Sequence, residues 1–340
     1  MPLLPSSYPS PPFWTANGHV QTIIPGIWRR VKDVVYTRER IHTPDDDFLD
    51  LDWIHRDGSR LLLLTHGLEG NSDRHYIRGP AKLFAQQGWD VLAWNCRSCS
   101  GEMNRAFRMY HHGDTEDIAT VINHALQTGR YTEIALVGFS MGANITMKYL
   151  GVHGNTLPPE VRAAAVFSAP CDLESGADVL DRWDNAIYRR RFMRALAEKM
   201  RLKAGQFPGK LDLHRLSELR RWRDFDEWFS APICGYRDAA DFYRQASARH
   251  FIPGIQVPTL LVNAWNDPIL TPACMPVDIA REHPFFYLEL TRDGGHCGFW
   301  TPGQPFSWAE ERALAFCTAA LANELPSALT APAQNTVAEG

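Results

Sequence analysis

A serine between two glycines is the strongest sign of chemistry in this sequence. Gly138, Ser140 and Gly142 form the pattern G-x-S-x-G, which follows an apolar strand pattern at 134–137 and opens a helical pattern at 141–150. In that context the small flanking residues permit a tight, strained turn that lifts the serine hydroxyl above a sheet. The alternative is an ordinary Gly/Ser turn that caps a helix. The context favours a nucleophilic serine, which forms a covalent intermediate with its substrate.

A nucleophilic serine needs a base, and His296 is the candidate. A serine hydroxyl is a poor nucleophile unless a neighbouring group takes its proton. His296 lies in the glycine-containing stretch 293–299, directly after the strand pattern at 285–290. The chain has 13 histidines. What favours His296 is therefore its order after the serine and its place at the end of a strand.

The third member of such a triad is an acid that orients the imidazole and stabilises its charge. Asp267 is the preferred candidate, because it follows the strand pattern at 259–263 and lies between Ser140 and His296 in sequence. Asp293 and Asp172 are alternatives. The first is very near His296 in sequence, and the second leads into a helical segment. Asp267 also precedes a proline, so it can serve as a turn residue at the same time.

Acyl transfer also requires hydrogen-bond donors for the oxyanion that forms on the attacked carbonyl group. The backbone N–H of Met141, the residue after the serine, is one candidate. The loop at 65–70 follows the buried strand pattern at 61–64, and in this loop the N–H of Leu68 is predicted as the second donor. We interpret His66 in the same loop as a packing or supporting residue and not as a catalytic one.

Strands that alternate with helices must position these residues. The predicted strands share continuous apolar sequence and lie at 61–65, 90–94, 134–137, 163–167, 259–263 and 285–290, after a pair of strands within 36–55. Helical patterns are predicted at 77–87, 114–125, 141–150 and 308–322. Continuous apolar strands are typical of sheets that are buried on both faces. The sequence therefore predicts an α/β fold, with a mostly parallel central sheet and helices on both faces.

A helical segment interrupts this alternation. No strand pattern appears between 172 and 250, and residues 182–223 hold 13 Lys/Arg but only 4 Asp/Glu. We predict a helical cap inserted over the carboxyl edge of the sheet, where α/β proteins bind their ligands. The predicted division is an N-terminal arm over 1–33, a core over 34–171 and 251–323, the cap over 172–250 and a flexible tail over 324–340.

Composition and charge argue against several other classes of protein. The 340 residues are 45% hydrophobic and 22% charged, which is typical of a globular protein. A net charge of −4 offers no overall positive field for nucleic acid. No apolar run reaches the roughly 18 residues that span a bilayer, and the N-terminus lacks the features of a signal peptide. We expect a cytoplasmic protein without stable membrane insertion.

The cysteines do not predict a disulfide framework or a metal site. The chain has 7 cysteines, an odd number in a long sequence, and Cys96 and Cys99 form a single CxxC pair. We interpret all of them as reduced thiols in or near the core. Because no other ligand spacing appears either, we expect neither a metal nor a cofactor.

Taken together, these motifs resemble the YheT-like branch of the α/β-hydrolases, which includes bacterial YheT esterases and eukaryotic ABHD-type lipases. The resemblance extends from about residue 19 to about residue 316. The matching stretches are 19–22, 66–70, 95–104, 110–114, 138–142, 225–243, 267–268 and 294–296. Relatives usually carry a second aspartate where this chain has Asn266, so Asp267 is the only acid at that place.

The resemblance implies a serine hydrolase that cleaves carboxylic esters of short to medium acyl chains, acylglycerols among them. Its partner would be a small-molecule ester, with transient lipid contact and no role for nucleic acid. The basic cap would suit an anionic head group, although a solvated helix face explains the same charges. The alternatives are an acyltransferase or a thioesterase with the same triad, or a binding protein that reuses the fold without catalysis.

Overall fold

A nine-stranded sheet forms the centre of the computed structural model, which describes residues 3–325 except 10, 13, 14, 16 and 301. The strands are β1 (Leu3–Leu4), β2 (Thr37–His42), β3 (Phe48–Ile54), β4 (Arg60–Thr65), β5 (Asp90–Asn95), β6 (Glu133–Phe139), β7 (Val161–Phe167), β8 (Thr259–Ala264) and β9 (Phe286–Thr291). They lie in the order β1-β9-β8-β7-β6-β4-β5-β3-β2, and β3 pairs antiparallel with both of its neighbours. All other neighbours are parallel, so the predicted mostly parallel sheet is confirmed.

Helices cover both faces of this sheet. They are α1 (Gly18–Trp28), α2 (His75–Gln86), α3 (Thr115–Gln127), α4 (Met141–His153), α5 (Leu173–Leu180), α6 (Ala186–Gln206), α7 (Arg215–Glu218), α8 (Trp222–Phe225), α9 (Ala231–Ile233), α10 (Ala239–Ala246), α11 (Val277–Glu282) and α12 (Trp308–Leu321). Strand β4 shows how the two faces divide, because successive side chains of a strand point to opposite sides. Leu61 and Leu63 pack with side chains of α3 and α4, whereas Leu62 and Leu64 pack with those of α2 and α12.

Residues 172–250, all of which the structure describes, form helices and no strand. A π-helical turn, Asp226–Ser230, joins α8 to α9. The long helix α6 buries Leu196 and Met200, while most of its arginines face solvent. The division of the chain into arm, core, cap and tail remains a prediction, and most of the predicted tail lies outside the described residues.

The N-terminal segment contains two elements that the sequence patterns had not predicted. Leu3 and Leu4 extend the sheet by pairing in parallel with β9. Helix α1 follows, and the Asn17 side chain caps it by accepting hydrogen bonds from the N–H groups of His19 and Val20. A two-residue strand is too short to show a period. The glycines and Pro25 within α1 hide the helical pattern, because both residue types disfavour helix interiors.

A buried arginine holds the loop after β5. The Arg97 guanidinium donates hydrogen bonds to Asp45, Asp47 and Asp117 over 2.7 to 2.9 Å, and its side chain is 1% exposed. These contacts join the turn between β2 and β3 to the start of α3. The free-energy cost of removing a charge from water is offset only when its partners are close and well aligned, as they are here. Arg97 therefore fixes this loop beside the sheet edge that carries the candidate site.

Candidate active site

Ser140 occupies the sharp turn between β6 and α4. Its φ of 54° and ψ of −121° are strained for a residue with a side chain, and its N–H donates to the Phe167 carbonyl over 2.9 Å. The neighbouring glycines are required by close packing. A Cβ atom at Gly142 would lie 2.2 Å from the Thr65 carbonyl oxygen, and one at Gly138 would lie 2.5 Å from that of Gly142. The turn therefore lifts the Ser140 side chain out of the sheet, as the pattern predicts.

His296 reaches the serine from the loop after β9. The Ser140 hydroxyl lies 2.8 Å from His296 Nε2. Two contacts hold the loop against α1. The His296 N–H donates to Thr22 Oγ1 over 2.8 Å, and Gly295, with a φ of 58°, lies so close that its Cβ would be 2.7 Å from the Gly18 carbonyl oxygen.

Asp267 completes the chain of contacts from the loop after β8. Its Oδ2 atom lies 2.8 Å from His296 Nδ1, and its Oδ1 accepts the Ile269 N–H over 2.8 Å. The Asp267 side chain is 0% exposed, so water does not compete for these hydrogen bonds. Because a carboxylate only accepts, the contact assigns the imidazole proton to Nδ1. Nε2 is then free to accept the proton of Ser140.

The two alternative acids lie elsewhere. Asp293 accepts a hydrogen bond from the side-chain amide of Asn266 over 3.1 Å, and Asp172 caps α5 by accepting from the Ser175 N–H over 3.1 Å. Neither contacts the imidazole of His296. Asn266 accepts the Gly295 N–H over 2.9 Å and so helps to hold the histidine loop.

The two predicted oxyanion donors lie beside the serine. A Cβ atom at Gly67 would be 3.0 Å from Ser140 Cβ, which places the loop of Leu68 against the Ser140 side chain. Within the described part of the chain, the N–H groups of Leu68 and Met141 donate to no protein acceptor. Free backbone donors next to a nucleophile are suited to bind a developing oxyanion.

His66 supports this loop, as predicted, and does not reach the reacting atoms. Its Nδ1 atom donates to the Gly67 carbonyl over 2.7 Å, and its Nε2 accepts the Cys96 N–H over 3.0 Å. Burial lowers the pKa of His66 to about 4 from 6.5. The neutral ring satisfies both partners, whereas a protonated ring would turn an N–H toward the Cys96 N–H.

Acid should therefore destabilise the fold partly through His66. The unfolded chain takes up this proton near pH 6.5 and the folded chain only near pH 4, so the stabilisation is complete above pH 6.5 and is lost as the pH falls between these values. In urea unfolding, His66→Asn should reduce the loss of stability between pH 6 and 5 by up to about 1.4 kcal/mol. Equal pH dependence in wild type and His66→Asn would contradict this role.

Sequence reasoning missed the contribution of α1. Gln21 Oε1 accepts the Gly294 N–H over 2.7 Å and the Asn266 side-chain amide over 3.0 Å, while Thr22 accepts the His296 N–H. The stretch 19–22 was among the motifs of the family resemblance, but it was given no role. That motif was the only signal available, because these contacts link opposite ends of the chain.

Replacing Thr22 tests this support. Thr22→Val should lower the free energy of unfolding by about 1–3 kcal/mol, because it removes the acceptor of the partly buried His296 N–H. It should also lower kcat, because the imidazole loses its fixed position. Thr22→Ser keeps the hydroxyl and should restore both quantities. Urea unfolding and initial rates on one ester check the result, and a serine variant as impaired as the valine variant would argue against the hydrogen bond.

Ser140 and His296 open into a pocket with about 520 Å³ of empty space, part of it open to solvent, which we call the reaction cavity. Its lining is mostly apolar and includes Leu68, Leu173, Leu180, Phe192, Trp222 and Ile269. In addition to Ser140 and His296, two other ionisable side chains line the reaction cavity. Burial raises the pKa of Asp226 to about 6 and lowers the pKa of His112 to about 3. A largely apolar cavity with a few polar groups is typical of a small-molecule site.

The basic residues of α6 do not line this cavity. Arg189 donates to the backbone carbonyl of Asp181 over 2.8 Å, and Arg190 and Arg191 face solvent. Of this part of α6, Phe192 lines the reaction cavity. An anionic group bound beside Ser140 would therefore not meet these charges directly.

The described residues offer no metal site, disulfide or membrane-spanning helix. They contain no group of three or more His, Cys, Asp or Glu side chains placed to hold a metal ion. All seven cysteines are free thiols; Cys234 is partly exposed, and the other six are buried. Within the same residues, the structure has no helix that is both long and apolar enough to cross a membrane.

Comparison with known proteins identifies the family. Residues 60–302 match the family described as the alpha/beta hydrolase fold. The chain is 34% identical to YheT of Escherichia coli (strain K12), covering 87% of this chain and 89% of that protein. It is 28% identical to the phospholipase ABHD3 of Mus musculus, covering 86% of this chain and 72% of that protein. It is also 26% identical to a monoacylglycerol lipase of Saccharomyces cerevisiae, covering 81% of this chain and 61% of that protein.

Solved structures agree on the fold. The esterase Pf2001 of Pyrococcus furiosus superposes with a TM-score of 0.51 at 18% identity, covering 77% of this chain and 83% of that one. A 2,6-dihydroxy-pseudo-oxynicotine hydrolase gives a TM-score of 0.54 at 14% identity, covering 85% of this chain and 69% of that one. The chain therefore belongs to the α/β hydrolase family, in the branch of YheT and the ABHD-type proteins, and it is a hydrolase.

Proposed function

We propose that the protein hydrolyses carboxylic esters through an acyl-enzyme formed on Ser140. The observation that carries this proposal is the continuous chain of contacts from Asp267 through His296 to Ser140, each 2.8 Å long. The names of the relatives, which include an esterase, a phospholipase and a monoacylglycerol lipase, support an ester as the substrate. The mostly apolar reaction cavity supports an acyl ester of short to medium chain length.

Acylation begins when Ser140 Oγ attacks the ester carbonyl carbon while His296 Nε2 takes its proton. The carbonyl oxygen becomes an oxyanion, to which the N–H groups of Leu68 and Met141 donate. Asp267 stabilises the imidazolium and keeps the ring oriented without taking its proton. When the tetrahedral intermediate collapses, the bond to the alkoxy oxygen breaks. His296 then protonates that oxygen, and the alcohol leaves.

Deacylation repeats these steps with water. His296 takes a proton from a water molecule, whose oxygen attacks the carbonyl carbon of the acyl-Ser140 ester. The same two N–H groups hold the oxyanion, and the bond from the carbonyl carbon to Ser140 Oγ then breaks. Ser140 recovers its proton from His296, and the carboxylic acid is released.

Product analysis tests this proposal against its rivals. The purified protein is incubated with p-nitrophenyl butyrate, a monoacylglycerol and a butyryl thioester, with and without an acceptor alcohol. We expect the free acid as the main product of the oxygen esters in water. A new ester formed in preference to acid would identify an acyltransferase, and faster turnover of the thioester would identify a thioesterase. Failure of the folded protein to release acid from any ester would contradict the proposal.

A further inference from the structure

A second pocket adjoins the reaction cavity, with about 460 Å³ of empty space that is also partly open to solvent, and we call it the side cavity. The residues that line both cavities are Leu68, His112, Trp222, Asp226 and Phe242. Ser140 and His296 line only the reaction cavity. A molecule bound to the serine must therefore pass this shared boundary to enter the side cavity.

The side cavity offers an aliphatic surface. Its remaining walls are largely apolar side chains, namely Met109, Leu196, Met200, Phe225 and Ile233. Methionine side chains are flexible and polarisable, and they adapt to ligands of variable shape. Such walls stabilise buried CH₂ groups and do not stabilise a polar head group.

Three polar side chains of the side cavity already have hydrogen-bond partners. The Tyr110 hydroxyl donates to the Glu69 carboxylate, and His111 Nδ1 accepts the Gly113 N–H over 3.1 Å. Asp226 accepts the Tyr243 hydroxyl over 2.8 Å. Burial also lowers the pKa of His111 to about 3, so this ring carries no charge near neutral pH. The side cavity therefore presents no free cation for a phosphate or a carboxylate.

The position of the histidine decides which part of an ester can enter. His296 Nε2 must reach the leaving oxygen in order to protonate it, so the alcohol lies on the side of the carbonyl carbon that faces His296. The acyl chain leaves that carbon in another direction. Leu68, whose N–H faces the oxyanion in the proposed mechanism, borders both cavities, whereas His296 borders only one. Of the two substituents, the acyl chain is the one that need not stay beside His296, so it is the candidate to pass Leu68.

We infer that the side cavity binds the acyl chain of the ester, and that Leu196 and Met200 of α6 limit the length of chain it accepts. This inference rests on the proposed ester hydrolysis. Both side chains are buried, at 7% and 2% exposed, and both line the side cavity without lining the reaction cavity. They can therefore select among acyl chains without touching the reacting atoms.

A chain-length series tests the inference. We measure kcat/KM for p-nitrophenyl acetate, butyrate, octanoate and dodecanoate with wild type, Met200→Trp and Met200→Ala. In wild type, kcat/KM should rise by up to about fourfold per methylene until the cavity is full. In Met200→Trp the indole fills the cavity, so the ratio of octanoate to acetate should fall by at least about tenfold, the loss of roughly two buried methylenes. Met200→Ala should move the optimum to a longer chain.

Leu202 provides the matched control, because it lies on the same helix and is 52% exposed. Leu202→Trp should leave the ratio of octanoate to acetate at the wild-type value. If both Met200 variants kept the wild-type optimum while hydrolysing acetate, the inference would be overturned and the proposed function would stand. If the wild type hydrolysed none of the esters, the proposed function would fail and the inference with it. If Met200→Trp does not fold, the inference is decided by Met200→Ala, whose optimum should move to a longer chain.

Discussion

Ester hydrolysis should be lost when Ser140 is replaced by alanine, with kcat lower by a factor on the order of 10⁶. The alanine variant keeps the imidazole, its acid and the free N–H groups of Leu68 and Met141, but it has no oxygen to form the acyl bond. Residual turnover would come only from water attacking a bound and polarised ester. Initial rates on p-nitrophenyl butyrate, with urea unfolding as the check on folding, measure this loss.

A glycine variant at the same position separates catalysis from backbone strain. Ser140 has a φ of 54° and a ψ of −121°, a conformation that glycine adopts more readily than other residues. Ser140→Gly should therefore be as inactive as Ser140→Ala but more stable than it by about 1 kcal/mol. Substantial activity in either variant would contradict a nucleophilic role for this hydroxyl. Equal stability of the two variants would contradict the strain.

Asp267→Asn should lower kcat by about 10⁴-fold while leaving the fold intact. An asparagine amide can donate to Nδ1 of His296, which would place the imidazole proton on Nε2. That nitrogen would then no longer accept the proton of Ser140. The side chain is fully buried, so water cannot restore the charge that the imidazolium needs. Initial rates over a range of ester concentrations would show the loss in kcat.

The alternative acids are the matched controls for this variant. Asp293→Asn changes a carboxylate in the same loop as His296, and Asp172→Asn changes the cap of α5. Because neither acid contacts the imidazole, each variant should retain kcat within about tenfold, as expected for residues that do not act on the reacting groups. A loss of about 10⁴-fold in either variant, with Asp267→Asn still active, would reassign the acid of the triad.

The residues of the proposed triad could be predicted because each one follows a strongly apolar strand. Ser140, Asp267 and His296 come directly after or within a few residues of β6, β8 and β9. Parallel strands bring their carboxyl ends to one edge of the sheet. Contact is expected from the order of the three residues along the chain and from this shared edge. In the structure, Asp267 to His296 and His296 to Ser140 are both 2.8 Å apart.

The support of the histidine loop could not be predicted in the same way. Thr22 and His296 are 274 residues apart, and no local pattern links them. Helix α1 itself is obscured by Gly18, Pro25 and Gly26, although Gly18 is required because its Cβ would lie 1.8 Å from the Asn266 carbonyl oxygen. Its position depends on tertiary contacts, which override weak local propensity.

The walls of the two cavities were also beyond sequence reasoning. The shared boundary brings together residues from the loop after β4, the loop before α3 and three places between 222 and 242. Helical patterning places Met200 on a buried face of α6, but it does not say that this face borders a cavity and not a filled core. Cavities depend on how several elements fit together, and a hydrophobic period reports only which side of one element is buried.

If Ser140 is an activated nucleophile, it should react with a fluorophosphonate, and intact mass measurement detects the product. The reagent forms a stable bond with a serine whose proton is taken by a neighbouring base. We expect one adduct on wild type, none on Ser140→Ala and much slower labelling of Asp267→Asn. An unchanged adduct on Ser140→Ala, or no adduct on folded wild type with either a large or a small phosphonate, would contradict this role of Ser140.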